Sequence, residues 1–357
     1  MADIASALLQ AGQSFWLDNI TRALLRDGGL ARYRDTAGVS GLTSNPTIFE
    51  HAIRNSSDYD AVIRAAGDKD PEAVFFDLAL EDLRAAAELF APLHARTGGV
   101  DGWVSLEVSP LLADDAAGTI AQATVLHARA ATPNLYIKVP GTRAGIEAIE
   151  TLIHRGVPIN VTLLFSTQQY RAAAEAWMRG LERRERDGLA LDVASVASVF
   201  ISRWDVKVAD KVPAELRNRL GLAVAAQIYR AYLDVLGSAR MQRLMNRGAR
   251  PQRLLWASTG TKDPRASDTL YVDHLIAPLS VNTMPEKTLL AALDHGTFDA
   301  PMATTGDAHE RELQRFAALG LAVEPLGQTL QQEGAAAFVA SWNSLLQSIA
   351  QRMGKAS

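Results

Sequence analysis

One lysine in this sequence lies inside an apolar, strand-like run. Of Lys69, Lys138, Lys207, Lys211, Lys262, Lys287 and Lys355, only Lys138 has such surroundings, in LYIKVP (135–140). Lysine is almost never fully buried unless paired. An amine held away from water is driven toward its neutral, nucleophilic form. Such an amine can attack a carbonyl and form a Schiff base, an electron sink for carbon–carbon cleavage. The other reading is a lysine paired with Glu107 or Asp18 to fill the centre of the fold, since structural ion pairs also hold buried lysines.

Asp18 closes FWLD and Glu107 lies in SLEV, on two different strand-like runs. Schiff-base chemistry needs an acid and a base, to remove the carbinolamine oxygen and to move a substrate hydroxyl proton. Each carboxylate could instead cap the helix that follows it, most readily Asp18 ahead of NITRALLR. In TSNPTIF (43–49), Pro46 restricts Asn45 to extended geometry, which can aim its amide at a ligand hydroxyl or make an ordinary Asn-Pro turn. Arg203 follows SVFIS, and Lys262 lies in ASTGTKDP with Ser258 and Thr259. Two cations, hydroxyls and a Gly-containing turn suit a phosphate, against the commoner fate of solvated surface cations. The seven histidines have no metal-ligand spacing, so no metal site is expected. ERRERD (182–187) reads as a solvated helix end, and no Walker loop, strand-following GxGxxG or GxSxG is present.

Eight strand-like runs position these residues: 15–18, 39–45, 102–108, 135–139, 159–164, 196–201, 253–259 and a weaker one at 279–283. Several are continuously apolar, as strands covered on both faces are. Ala/Leu-rich helical stretches separate them, such as PEAVFFDLALEDLRAAAELFAPLHA, AGTIAQATVLHARAA and QYRAAAEAWMRGLERRERDG. Alternating strands and helices predict a parallel sheet, and eight strands predict its closure into an α/β (β/α)8 TIM barrel, with a doubly wound open sheet as the alternative. From Asp18 to Asn282 the spacing is about 38 residues per unit, against roughly 30 for a barrel of typical size. The excess lies between Asn45 and Glu107 and between Phe200 and Ser258, where extra helices fit. The expectation is one barrel domain over 1–357 with additional helices at the N- and C-termini, the latter over about 306–353 and packing on the barrel. In such a barrel the site forms at the C-terminal strand ends, where Asp18, Asn45, Glu107, Lys138, Asn160, Thr162, Ser198, Arg203, Ser258 and Lys262 fall.

The 357 residues carry 36 basic and 40 acidic side chains, a net charge of −4, 48% hydrophobic residues and no cysteine. This balance predicts no broad cationic face for nucleic acid. Without cysteine there is no disulfide framework, thiol nucleophile or cysteine zinc site. No uninterrupted apolar stretch reaches about 18 residues, so no membrane span is expected. The start, MADIASALLQAGQ, lacks the basic flank and apolar run of a signal peptide, which makes the cytoplasm the expected compartment.

Five ordered blocks resemble the transaldolase family. GLTSNPTIFEHAI (41–53) is similar to its signature after the second strand, and LYIKVPGTRAGIEAIETL (135–152) to its active-site segment. INVTLLFSTQQY (159–170), SVASVFISRWD (195–205) and RLLWASTGTKDP (253–264) match further blocks in order. The resemblance runs from about Asp18 to Met284, and the C-terminal helices suit the longer bacterial and plant-type form. It implies a cofactor-free enzyme that moves a dihydroxyacetone unit from sedoheptulose 7-phosphate or fructose 6-phosphate to an aldose phosphate, in the non-oxidative pentose phosphate pathway. By the same resemblance Lys138 corresponds to the Schiff-base lysine and Asp18 to the acid/base at the cleaved bond. Glu107 and Thr162 correspond to the pair holding the water of carbinolamine dehydration. Asn45, Asn160 and Ser198 correspond to residues that fix the dihydroxyacetone hydroxyls, and Arg203 and Lys262 to the phosphate ligands. The loop ASTGTK is longer than in short-form enzymes, which carry an arginine soon after the Ala-Ser pair.

Phe200 resembles the transferase branch, because related fructose 6-phosphate aldolases carry tyrosine there. A phenol could deliver a proton or position water for release of the free ketone, whereas a phenyl ring cannot. The competing expectations are an aldolase of that kind, or a catalytically silent barrel that binds sugar phosphates. Expected partners are small sugar phosphates alone, with the chain a monomer or a homodimer.

Overall fold

The computed structural model describes residues 8, 10–298, 300–305 and 307–354. Eight strands form one parallel sheet: β1 (Gln13–Leu17), β2 (Gly41–Leu42), β3 (Val104–Glu107), β4 (Leu135–Pro140), β5 (Ile159–Leu164), β6 (Ser195–Phe200), β7 (Arg253–Ala257) and β8 (Ser280–Met284). Their order is β2-β1-β8-β7-β6-β5-β4-β3. A Gly41–Trp103 bridge joins the two ends, with Leu42 N–H donating to Trp103 O at 2.9 Å. The ring is therefore a (β/α)8 barrel, as the alternation of elements predicts. All eight expected strands are present, but β2 has only two residues where seven were expected. Thr43 N–H still bonds Leu17 O at 2.9 Å, so the path stays extended until Asn45 opens the next helix.

The excess length is helical. Pro46–Arg54, Asp60–Ala65 and Pro71–Arg96 lie between β2 and β3, and Ser202–Val208, Leu220–Gly237 and Ala239–Asn246 between β6 and β7. Their starts follow local chemistry: Asn45 and Asp70 cap helices that have proline in the first turn, which forfeits an amide that would have no partner there. ERRERD closes the helix Thr167–Arg186 but is not simply solvated. Arg183 reaches Glu150 at 3.4 Å, and Arg240 and Arg243 on a neighbouring helix pair with Glu182 and Glu185.

The N-terminal end of the barrel is plugged. Trp103 stacks on Tyr136 with ring centres 4.1 Å apart, and Trp16 lies beside Tyr136 at 6.3 Å. Trp16 Nε1 donates to Asp101 Oδ1 at 2.7 Å, while Arg253 donates to Ser14 and to Ser280 O. Gly41 makes room for this plug, since a Cβ there would stand 2.8 Å from the Trp16 ring and 2.6 Å from Trp103 O. With one end filled, ligand space is left at the other.

Two helices end the described chain, Ala308–Ala318 and the 30-residue Val323–Arg352. Gly306, where the expected C-terminal helices begin, lies outside the described residues. Val323–Arg352 crosses the barrel at the C-terminal strand ends. Ser166 donates to its Glu324 at 2.6 Å, and Gln331 donates to the carbonyls of Gly141 and Leu163, each at 2.9 Å. Farther along, Ser344 donates to Glu50 at 2.9 Å and Trp342 meets Phe75 edge to face. Among the described residues no helix is long and apolar enough to cross a membrane.

Candidate active site

Period-two alternation along the strands sends Asp18, Thr43, Lys138, Thr162, Ser198, Phe200 and Thr283 to one interior cavity of about 510 Å³. Asn45, Arg203, Ser258 and Lys262 complete its wall from the loops and helix starts above the strands. Nine of the eleven candidate residues thus line one space. The other two, Glu107 and Asn160, are buried on either side of Lys138, held there by the register of β3, β4 and β5. A larger groove of about 750 Å³ lies between Leu220–Gly237 and Ala308–Ala318, lined chiefly by apolar groups such as Leu222, Leu270 and Met302. The convergence of buried ionisable groups, rather than volume, makes the smaller cavity the candidate site.

Lys138 is 4% exposed. Its Nζ lies 3.1 Å from Glu107 Oε2 and donates to Ser44 O at 3.0 Å. The pairing that the sequence raised as a structural alternative is therefore present, and it stands inside the cavity wall rather than in a closed core. Burial pushes the Glu107 carboxyl above the usual carboxylate range, while the Lys138 charge pulls it back. Thr162 Oγ1, on the adjoining strand, is buried and has no hydrogen-bond partner among the described residues, so it is free to bond a group in the cavity.

Asp18 faces the same space from β1. Burial raises its pKa, and the Thr43 hydroxyl and the charges of Lys138 and Lys262 oppose that rise. Thr43 donates to Asp18 Oδ1 at 2.6 Å and lies 2.7 Å from the Thr283 hydroxyl. Neither carboxylate caps a helix: Thr21 caps the one after Asp18, and the turn after Glu107 has no side-chain cap. Asn45 is a helix N-cap rather than part of an Asn-Pro turn. Its Oδ1 accepts from Ile48 N at 3.0 Å as an N-cap, and its residue borders the cavity, leaving the amide Nδ2 as a donor. Ser198 donates to Asn160 Oδ1 at 2.6 Å, and Asn160 Nδ2 donates to Ser105 at 3.2 Å.

The cationic side of the cavity is less uniform. The Arg203 guanidinium is largely buried, which lowers its pKa, and it lies 5.0 Å from the Phe200 ring centre. Lys262 is exposed at the rim, as a loop cation is expected to be. Ser258 adopts φ 56° and its hydroxyl lies 2.9 Å from that of Ser202. A non-glycine residue in the left-handed region marks a turn held by its surroundings. Leu163, at φ 59°, forms a bulge in β5 immediately after Thr162.

Thr43, Thr283, Ser105 and the Ser44 carbonyl were not singled out from sequence. Thr43 and Ser44 lie in the TSNP stretch that was, but nothing in that stretch names their partners on other strands. Phe338, which reaches the cavity from Val323–Arg352, had no local signal beyond the apolar stripe it shares with Leu330, Trp342, Leu345 and Ile349.

Known proteins match this chain over nearly its whole length. The profile of the family described as Transaldolase/Fructose-6-phosphate aldolase matches residues 15–349. The chain is 43% identical to a protein named Transaldolase from Thermobifida fusca (strain YX), covering 97% of each chain. It is also 43% identical to a protein of that name from Arthrobacter sp. (strain FB24), over 95% of this chain and 94% of that one. A third Transaldolase, from Thiobacillus denitrificans, is 42% identical over 97% of this chain and 99% of its own. On that evidence, together with the barrel and its buried lysine, the chain belongs to the transaldolase/fructose-6-phosphate aldolase family.

Proposed function

We propose that the protein is a transaldolase that carries a dihydroxyacetone unit on Lys138. The observation that carries this reading is the buried Lys138–Glu107 pair, 3.1 Å apart, at the wall of a cavity that Asp18 enters from another strand. The donor is a ketose phosphate, sedoheptulose 7-phosphate or fructose 6-phosphate, with its phosphate toward Arg203, Ser258 and Lys262. Lys138 passes its proton to Glu107, whose burial favours the protonated form, and the free amine attacks the ketone carbon. The carbinolamine oxygen leaves as water, taking its proton from Glu107 through a water held with Thr162.

Asp18 then removes the hydroxyl proton beside the scissile bond. That carbon–carbon bond breaks, its electron pair enters the iminium, and an aldose phosphate departs. The resulting enamine attacks the aldehyde of the acceptor, glyceraldehyde 3-phosphate or erythrose 4-phosphate, and Asp18 returns the proton. Hydrolysis of the new imine restores Lys138. Asn45, Asn160 and Ser198 hold the hydroxyls of the three-carbon unit. Every step is supplied by these side chains, without a cofactor.

Phe200 supports transfer over simple cleavage. Its ring is 7% exposed and carries no proton to quench the enamine, which favours survival until an acceptor arrives. The reaction belongs to the non-oxidative pentose phosphate pathway, and its charged, soluble substrates favour the cytoplasm as the compartment. The contacts of Val323–Arg352 with the barrel support treating 1–357 as one domain. The test is release of glyceraldehyde 3-phosphate from fructose 6-phosphate with and without erythrose 4-phosphate. Acceptor-dependent release is expected; acceptor-independent formation of dihydroxyacetone would make the enzyme an aldolase, and no product would leave a silent sugar-phosphate-binding barrel.

A further inference from the structure

The Arg203 guanidinium forms no ion pair among the described residues, although most of its surface is buried and the charge of Glu107 acts on it from beyond contact distance. What holds it is aromatic. Its central carbon lies 5.0 Å from the ring centre of Phe200 on β6 and 5.8 Å from that of Phe338 on Val323–Arg352. Both distances fall within the reach of cation–π attraction. One turn earlier on the same helix, Gly334 gives the guanidinium room. A Cβ at 334 would stand 2.9 Å from Arg203 Nη1 and 2.9 Å from Leu163 Cδ2. Another turn earlier, Gln331 fastens the helix to the carbonyls of Gly141 and Leu163 at the tips of β4 and β5.

An arginine can be fixed in a pocket by a carboxylate or by rings, and the consequences differ. A carboxylate occupies the N–H donors and cancels the charge. Rings restrain the guanidinium plane while leaving the donors in that plane free for an anion. The second arrangement suits an arginine whose task is to meet a phosphate, and half of it comes from a helix outside the barrel.

We propose that Phe338 and Gly334 are positioning residues for Arg203, so that the C-terminal helix sets the preference for phosphorylated over unphosphorylated substrates. This rests on the reading of Arg203 as a phosphate ligand. Gln331 fixes the height of the helix above the strand ends, Gly334 admits the guanidinium, and Phe338 sets its plane. None of the three performs a proton transfer or forms a bond to substrate.

The test measures kcat/KM for fructose 6-phosphate and for unphosphorylated fructose, with erythrose 4-phosphate as acceptor, and compares their ratio among variants. Phe338→Leu keeps an apolar side chain but removes the ring, and is expected to lower the ratio by roughly 3- to 30-fold, the factor matching one cation–π contact. The loss should appear mainly in KM for the phosphorylated donor. Phe338→Tyr, which keeps a ring, should restore the ratio, and Gly334→Ala should lower it as Phe338→Leu does. A Phe338→Leu enzyme that slows on both donors by the same factor would overturn the proposal, because a merely structural helix contact predicts that result. Arg203→Ala separates the two layers of the argument. If it lowers the ratio while Phe338→Leu does not, the helix inference fails and the phosphate reading stands; if Arg203→Ala leaves the ratio unchanged, the phosphate reading itself fails.

Discussion

Glu107 Oε2 lies 3.1 Å from Lys138 Nζ at neighbouring positions of two paired strands, and both side chains are about 95% buried. A charge pair so placed is costly to dehydrate and is weak evidence of stabilisation by itself. Its position at the cavity wall is what supports the proposed chemical use, as an amine and a proton acceptor set side by side before any substrate arrives.

Replacing Glu107 by glutamine preserves shape and removes the exchangeable proton. Glu107→Gln should lower kcat by about 10²- to 10⁴-fold, the usual contribution of a positioned acid or base. Because burial raises the Glu107 pKa, the pH dependence of kcat that this group imposes on the parent enzyme should disappear in the variant. Steady-state rates across pH, with circular dichroism to verify folding, check both statements. An unaltered pH profile would remove Glu107 from the proton path.

Asn45 caps a helix and, in the function proposed above, also binds substrate, and different substitutions separate the two roles. Asn45→Asp keeps an oxygen to accept from Ile48 N and so should leave thermal stability unchanged or slightly raised. It loses the amide donor toward the cavity, and kcat/KM should fall roughly 5- to 150-fold, as for a polar contact left unmade. Asn45→Ala should show the same kinetic loss together with about 1 kcal/mol of destabilisation from the missing cap. Paired melting and rate measurements on the two variants would expose a purely structural Asn45 if the Asp variant retained full activity.

Asp205 lies outside the reacting groups and reports on the fold. It is 5% exposed and accepts from Leu220 N, Gly221 N and the Tyr271 hydroxyl at 2.9, 3.2 and 2.8 Å. Burial raises its pKa from 3.8 to about 6. The folded state therefore binds this proton more tightly than the unfolded chain. Its contribution to stability is complete below about pH 4 and is lost as pH rises through about 6, a change of about 3 kcal/mol. Denaturant unfolding at pH 7 and pH 4.5 should give a stability difference between parent and Asp205→Asn that grows at the lower pH. A difference independent of pH would contradict the assignment.

How much of this was legible in the sequence depends on how local each signal is. Lys138 stood out because a lysine in an apolar run contradicts its surroundings, and that contradiction is visible in six residues. The strands and the added helices were legible because hydrophobic period and capping chemistry are also local. Strand length was less so. The ladder at β2 narrows to Gly41–Leu42 although Thr43 N–H still bonds Leu17 O, and only Asn45, at the end of the run, is taken up as the cap of the next helix. The hydroxyl chain from Thr283 through Thr43 to Asp18 arises from the register of three strands far apart in sequence, which no single segment encodes. The same holds for Gly334 and Phe338. The apolar stripe of their helix announces burial but not which turn meets Arg203.

The most direct test is borohydride reduction of the enzyme incubated with fructose 6-phosphate, followed by peptide mass spectrometry. A reduced dihydroxyacetone adduct on the peptide containing Lys138, with no adduct and no turnover in Lys138→Ala, is the predicted result. An adduct on another lysine, or carbon transfer by the Lys138→Ala enzyme, would contradict it.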